Sequence, residues 1–540
     1  MPICRRLPYL ALCVALPLSR GVAQEHAHGP PEQLGKVTFA VSCAPDAQQR
    51  FERAMTVLHS FWWEEGPAAF AAVLAADSAC AMAHWGLAMN AWGNPFAAGP
   101  AGDQLQAGAA AAERAAALGG QTSREAGFIA AVAALYRAAA TTPNAARLQA
   151  YADTMARVYR DHPGDDEIAI YYALSLVATA PRTDTTFANQ KRAAEILNPL
   201  YALHTDHPGL AHYIIHANDS PHLAQYGLDA ARRYAGIAPS APHAQHMPSH
   251  IFVRLGMWDE TIASNWKSYE AGVAYAKAQG LPGVNYHEFH ALDYAVYGYL
   301  QRGMDREARR TVALAESVTT QRLMLNLIGG YNRTAMEARL ALERGDWAAA
   351  AAFPLRPAEV PIVAALVHFT RGIGAARSGS PARANLAAGK LDSIASALAR
   401  RDPYWARVVR IKAEAVVAWA RFGAGQRAAG LALAKAAADS EDVTEKHPVT
   451  PGELLPAREL EADMLLAAKN YAAAQAAYRA TLAREPGRAR SLFGVARSAE
   501  LAGDLATART AYAEFLKLME KADGDRAEIG VARKVVEASP

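Results

Sequence analysis

Two histidine pairs of identical spacing stand near the middle of this 540-residue chain: His212 with His216, and His246 with His250. Residues four apart share one face of a helix with Cβ atoms roughly 5–6 Å apart, so each pair can close on a single ion. The second pair follows the first by 34 residues, a separation that in a helical repeat array returns to the equivalent place on the next repeat. His222, His243, His287 and His290 lie close by, so eight of the 17 histidines fall between residues 212 and 290. Imidazole is the commonest protein metal ligand, and nitrogen ligands joined by carboxylate but no thiolate suit copper, zinc, iron or nickel rather than calcium or magnesium. The expected ligands are His212, His216, His243, His246, His250, His287, His290 and Asp293, with Asp293 also the candidate catalytic base. Copper or zinc is favoured, as one or two ions, with iron as a third choice. An open position on such an ion could activate water or bind oxygen, which would make the chain a metal-dependent hydrolase or oxidoreductase.

Neither pair contains the glutamate of the HExxH zinc-protease motif: Tyr213-Ile214-Ile215 separates one pair and Met247-Pro248-Ser249 the other. Asp219, three residues after His216, is a further ligand, an acceptor that orients an imidazole, or helix-end chemistry before Pro221. A lone helical histidine is more often a packing or surface residue, and these histidines could instead be hydrogen-bonding groups between helices. Recurrence in register is what favours an ion. Pro248 threatens the scheme, because a helix that began only there would leave His243 and His246 on a loop.

The elements that must position these residues are helices. Helical periodicity runs through 146–160, 166–179, 187–204, 386–400 and 404–422, and no alternating strand pattern of convincing length occurs. Near the carboxy terminus Tyr471, Ala474, Ala477, Tyr478 and Leu482 are followed 34 residues later by Leu505, Ala508, Ala511, Tyr512 and Leu516. Gly503-Asp504 forms a turn inside that second unit, and Gly256, Gly303 and Gly345 open similar turns upstream. This pattern resembles the tetratricopeptide-repeat (TPR) family. Segments such as 58–65, Pro248-Ser249-His250-Ile251-Phe252, Leu292-Asp293-Tyr294 and Pro451-Gly452-Glu453-Leu454-Leu455-Pro456 further resemble an exported bacterial group of TPR-like proteins, a likeness that implies no particular activity.

The resemblance implies an all-α, TPR-like superhelical solenoid of antiparallel helix pairs. It also implies that the first helix of each pair lines a concave groove through its second, fifth and ninth positions. Counted back from the turn glycines, His243, His246 and His250 take those three places in one repeat. His212 and His216 take the fifth and ninth of the repeat before, and His290, Asp293 and Tyr297 take the three of the repeat after. The expected organisation is a signal peptide over 1–23, a flexible His-containing segment over 24–44, degenerate repeats over 45–200, central repeats over 201–345, further degenerate repeats over 346–460 and carboxy-terminal repeats over 461–535.

Arg5 and Arg6, the apolar stretch Leu7 to Leu18 and the small residues Gly21-Val22-Ala23 make up a three-part secretory signal, so a periplasmic or secreted location is expected. No later apolar run is long enough for a stable membrane span. Cleavage would leave Cys43 and Cys80 in the mature chain, an even pair consistent with one disulfide in an oxidising compartment or with two buried thiols. The new terminus, Gln24-Glu25-His26 with His28 behind it, is a weak copper or nickel motif. With 55 basic against 52 acidic residues there is no electrostatic footprint for nucleic acid, and no phosphate loop, dinucleotide fingerprint or nucleophile elbow appears. The rival to a metal site is a non-catalytic periplasmic scaffold whose groove binds a peptide or a small anionic ligand.

Overall fold

A computed structural model describes residues 32–281, 286–318, 327–356 and 360–538. The expected signal peptide and the histidines at 26 and 28 lie outside the described residues. Among those described there is no strand. The chain is a succession of antiparallel helix pairs, illustrated by residues 242–254 with Trp258–Ala278, Tyr286–Gln301 with Asp305–Val318, and Ala489–Ala502 with Leu505–Leu518. The pairs turn at Gly256, Gly303, Gly345 and Gly503, all with φ between 66° and 85°. A side chain at such a φ is strained, so glycine at these places ends one helix and redirects the chain at little cost. After two of the turns, Asp346 and Asp504 cap the next helix by accepting the amides of Ala349 and Thr507.

Alanine is the usual residue where the helices meet: Ala474, Ala477, Ala496, Ala499, Ala508 and Ala511 are all buried. Helix axes approach closely across such small side chains, and Tyr478, Tyr512 and Phe515 fill what remains. The core beneath the first half of the chain runs without a break from Leu34 to Phe252. Packing is therefore continuous across residue 200, because stacked repeats bury one continuous seam. Residues 34–41 are also not a loose tail. Val37 and Phe39 are buried in an extended segment, and Lys36 donates its amide to the Asp206 carbonyl at 3.0 Å. Cys43 and Cys80 form a disulfide that ties this segment to the start of the helix Ala81–Trp92. No helix among the described residues is long and apolar enough to cross a membrane.

Candidate metal centre

Three successive first helices carry the central histidines. Pro208–Asn218 bears His212 and His216, and His207 caps it by accepting the Leu210 amide. The next helix has two segments, Pro242–His246 and Pro248–Arg254, but Met247 between them keeps helical angles of φ −53° and ψ −35°. Pro248 removes one rung of the backbone hydrogen-bond ladder at this point, yet the chain keeps its helical path through it. His243 and His246 thus stay on the helix, and His250 follows one turn on. The third helix, Tyr286–Gln301, carries His287, His290 and Asp293.

These helices gather six imidazoles into two triads. His212, His216 and His243 form the first, and His246, His250 and His290 the second; within each, the ligand nitrogens lie within 4.8 Å of one another. In the first triad His212 Nε2 is 3.1 Å from His216 Nε2 and 3.2 Å from His243 Nε2. In the second, His246 Nε2 is 3.0 Å from His250 Nε2. Ligands on a tetrahedral ion with bonds of about 2.0–2.1 Å sit roughly 3.3 Å apart, so the nitrogens already hold nearly the spacing an ion demands.

The outer hydrogen bonds fix which nitrogen is bare in three of the six rings. His212 Nδ1–H donates to the His59 carbonyl at 2.7 Å. His250 Nδ1–H donates to the Asp219 carboxylate at 2.9 Å. The Asn265 amide gives its N–H to the Thr261 carbonyl at 2.7 Å, turning its oxygen towards His246 Nδ1 at 2.6 Å. In all three rings the proton resides on Nδ1, and the Nε2 lone pair faces inward. The 3.0 Å contact between His246 and His250 is therefore lone pair against lone pair, not a hydrogen bond. Adding a proton is opposed by burial, which lowers all six imidazoles and pushes His212 down to about 3.

The surroundings are aromatic and closed. Phe61 packs its ring against His212 at 4.4 Å, His243 at 5.6 Å and His216 at 5.9 Å. It does so from a left-handed backbone, φ 51°, at the turn after the helix Pro45–His59, a conformation that costs a non-glycine residue free energy and must be held by its packing. Phe96 covers His216 at 4.3 Å. On the other side the Pro-rich connection after Lys446 straps the cluster down: Tyr294 Oη lies 3.2 Å from the carbonyls of Pro448 and Thr450, and Arg339 donates to the Gly452 carbonyl at 2.7 Å. None of His212, His216, His243, His246 or His250 is more than 8 % exposed. The expected open groove is thus filled at this point, and it has no room for a peptide beside the histidines.

Two expected ligands belong elsewhere. Asp293 joins neither triad; it is fully buried with Oδ1 3.1 Å from Arg339 Nε. Burial pushes its carboxyl up to about 6 against the pull of that guanidinium. His287 also lies outside the triads, 5.7 Å from the His243 ring and 3.7 Å from Glu64. His222, counted in the dense stretch but never as a ligand, packs on Phe187. Asp219 takes the orienting role, and it also pairs with Arg254 at 2.9 Å. Asn265 and the His59 carbonyl orient other rings and carry no sequence signal, since they come from a second helix and from 153 residues upstream.

A third group, His59, Glu167 and His207, has a different character. Each Glu167 oxygen meets one ring, His59 Nε2 at 3.0 Å and His207 Nε2 at 2.9 Å. The other nitrogens are satisfied too, by the Tyr213 hydroxyl at 3.0 Å and the Leu210 amide at 3.3 Å. Burial works to raise the Glu167 carboxyl, but the two histidines outweigh it and hold the group ionised. Donors and acceptors match throughout, so this is a closed network that supports the His59 carbonyl beneath His212.

No family model matches the chain, and no curated protein does. Among solved structures the chain is similar to the APC/C hetero-tetramer Cut9-Hcn1, at 13 % identity and a TM-score of 0.25 over 76 % of this chain and 84 % of that one. It is also similar to yeast Tom70, at 8 % identity and a TM-score of 0.27 over 91 % of this chain and 88 % of that one.

Proposed function

We propose that this is an exported helical-repeat protein whose paired histidine triads hold transition-metal ions, one in each. The observation that carries the reading is the 3.0 Å approach of two imidazole nitrogens, His246 Nε2 and His250 Nε2, whose tautomers leave both without a proton. A buried pair of facing lone pairs is unfavourable unless a cation lies between them. Copper and zinc suit the all-nitrogen ligands, with iron a weaker match. Three ligands leave a fourth tetrahedral position for water, oxygen or substrate, the arrangement of catalytic rather than structural sites. Elemental analysis of the untagged mature protein tests the reading. His216→Ala should empty the first site and His250→Ala the second, with the helical array still folded. Full metal content in the double variant would refute the assignment.

A second reading, a scaffold for an anionic partner, draws on a different place. A 430 Å³ cavity among the carboxy-terminal repeats is lined by Trp347, Arg344, Arg377, Arg490 and Arg526. Its guanidinium groups are already paired with Asp305, Asp463 and Glu459, which lowers its appetite for a further anion.

A further inference from the structure

Resting on the metal reading above, we propose that the two triads form one coupled dicopper centre that takes up dioxygen between its ions. Geometry gives the first reason. Across the seam between the triads the rings of His216 and His250 are 6.1 Å apart and those of His243 and His246 are 6.0 Å apart. Within the second triad the corresponding separations are 4.4, 5.0 and 6.0 Å. The gap between the triads thus equals the longest separation inside one, His250 to His290, and exceeds the 4.8 and 5.0 Å inside the first. With bonds of about 2.0–2.1 Å, the two ions would lie on the order of 4–6 Å apart, within reach of a small ligand that bonds to both.

Charge gives the second reason and selects the metal. All six ligands are neutral, so two divalent ions would place four positive charges in a closed, aromatic-walled site. The nearest carboxylate, Asp219, already faces Arg254 at 2.9 Å and Lys446 at 3.7 Å, and Asp293 is engaged by Arg339. Glu64 lies one ring further out, behind His287, so a resting pair of zinc or ferrous ions has no unpaired carboxylate against its ligands to offset that charge. Two cuprous ions carry half of it and suit imidazole. When dioxygen enters, each cuprous ion gives up one electron and becomes cupric, and dioxygen gains both electrons to become a bridging peroxide dianion. No proton is taken up or released, and the net charge of ions plus bridge is unchanged by the step. The site thus accommodates the oxidised pair without a counter-ion from the protein.

Access gives the third reason. A cavity of about 80 Å³ touches His216 between Phe96, Phe187 and Lys446. That is space for several waters, at about 10–15 Å³ of probe-occupied volume each, and so for dioxygen.

The test uses the untagged mature protein, loaded with cuprous ion without air and then exposed to oxygen. Two coppers per chain should take up one dioxygen, develop an intense near-ultraviolet charge-transfer band and leave only a minor fraction of the copper visible by electron paramagnetic resonance. His290→Ala, and independently His243→Ala, should retain one copper that becomes fully visible on oxidation; the wild-type measurement stands if either variant fails to fold. Two coppers with their full spin, or with no oxygen uptake, would overturn the coupled pair and leave metal binding intact. Retention of zinc with rejection of copper would also overturn it, and no metal at all would overturn both readings.

Discussion

Acid should unfold the metal-free protein steeply, with the six clustered histidines setting much of the slope. In the folded chain burial lowers every one of these imidazoles, His212 to about 3. In the unfolded chain each returns to about 6.5. Above that pH neither state holds the protons, and the stability contributed by the neutral cluster is whole. Below it the unfolded chain takes up protons that the folded chain refuses, and stability is lost progressively as the pH falls towards the folded values. One group changes stability by about 1.4 kcal/mol per pH unit at full effect. At pH 5.5 an unfolded histidine is about nine-tenths protonated, so six of them take up roughly five protons and cost about 7 kcal/mol per pH unit. A fold typically holds about 5–15 kcal/mol in all, so the metal-free protein should lose its structure within about a unit and a half below neutrality. Bound metal opposes this by about 4 kcal/mol at a free concentration a thousand times its Kd. Guanidinium unfolding of the metal-free protein in half-unit steps from pH 7.5 to 5.0 measures the slope. His59, His287 and His447 are lowered as well and add to it, so the decisive comparison is His246→Asn with His250→Asn, which should remove about two protons. An unchanged slope in that double variant would mean the pair is protonated in the folded state, and the account of facing lone pairs would fail.

Asp219→Asn should weaken the second site 10–100-fold, roughly the effect of losing a ligand-orienting carboxylate, and leave the first site nearly unchanged; competition titration with a chelator reads both. The same change takes one carboxylate charge from Arg254, which keeps Glu445, and from Lys446, so thermal unfolding should show a loss of about 1–3 kcal/mol. Glu167→Gln should instead weaken the first site, by disturbing the carbonyl that holds His212, at a stability cost of about 1–3 kcal/mol; equal loss at both sites would contradict the separate roles. Asp293→Asn should leave metal content unchanged, since its carboxylate holds Arg339 and no ion. Replacing Cys43 and Cys80 by serine should cost about 4 kcal/mol, the loop entropy of a 37-residue closure, without altering metal stoichiometry.

The histidine pairs were legible in the sequence because their spacing is a helix property and their recurrence a repeat property, and neither depends on the rest of the molecule. Their third partners were only half legible. Each triad takes the fifth and ninth positions of one repeat and the second position of the next, so the same three places build both sites. The connecting segments differ in length, however, and His290 follows His243 by 47 residues where His246 follows His212 by 34. No fixed period could pair each third ligand with its site. The closed face was less legible still, because the strap after Lys446 arrives from more than 150 residues beyond Tyr294, which it covers. Asp293 shows why position alone misleads. It occupies the same fifth place as His212 and His246, with Tyr297 at the ninth, so it reads as the next rung of one ladder. At that rung the following repeat supplies Arg339, whose guanidinium meets Asp293 at 3.1 Å and lies 4.7 Å from the Tyr297 ring. The rung is thus filled twice by imidazoles that need an added cation and once by a carboxylate whose cation is part of the chain.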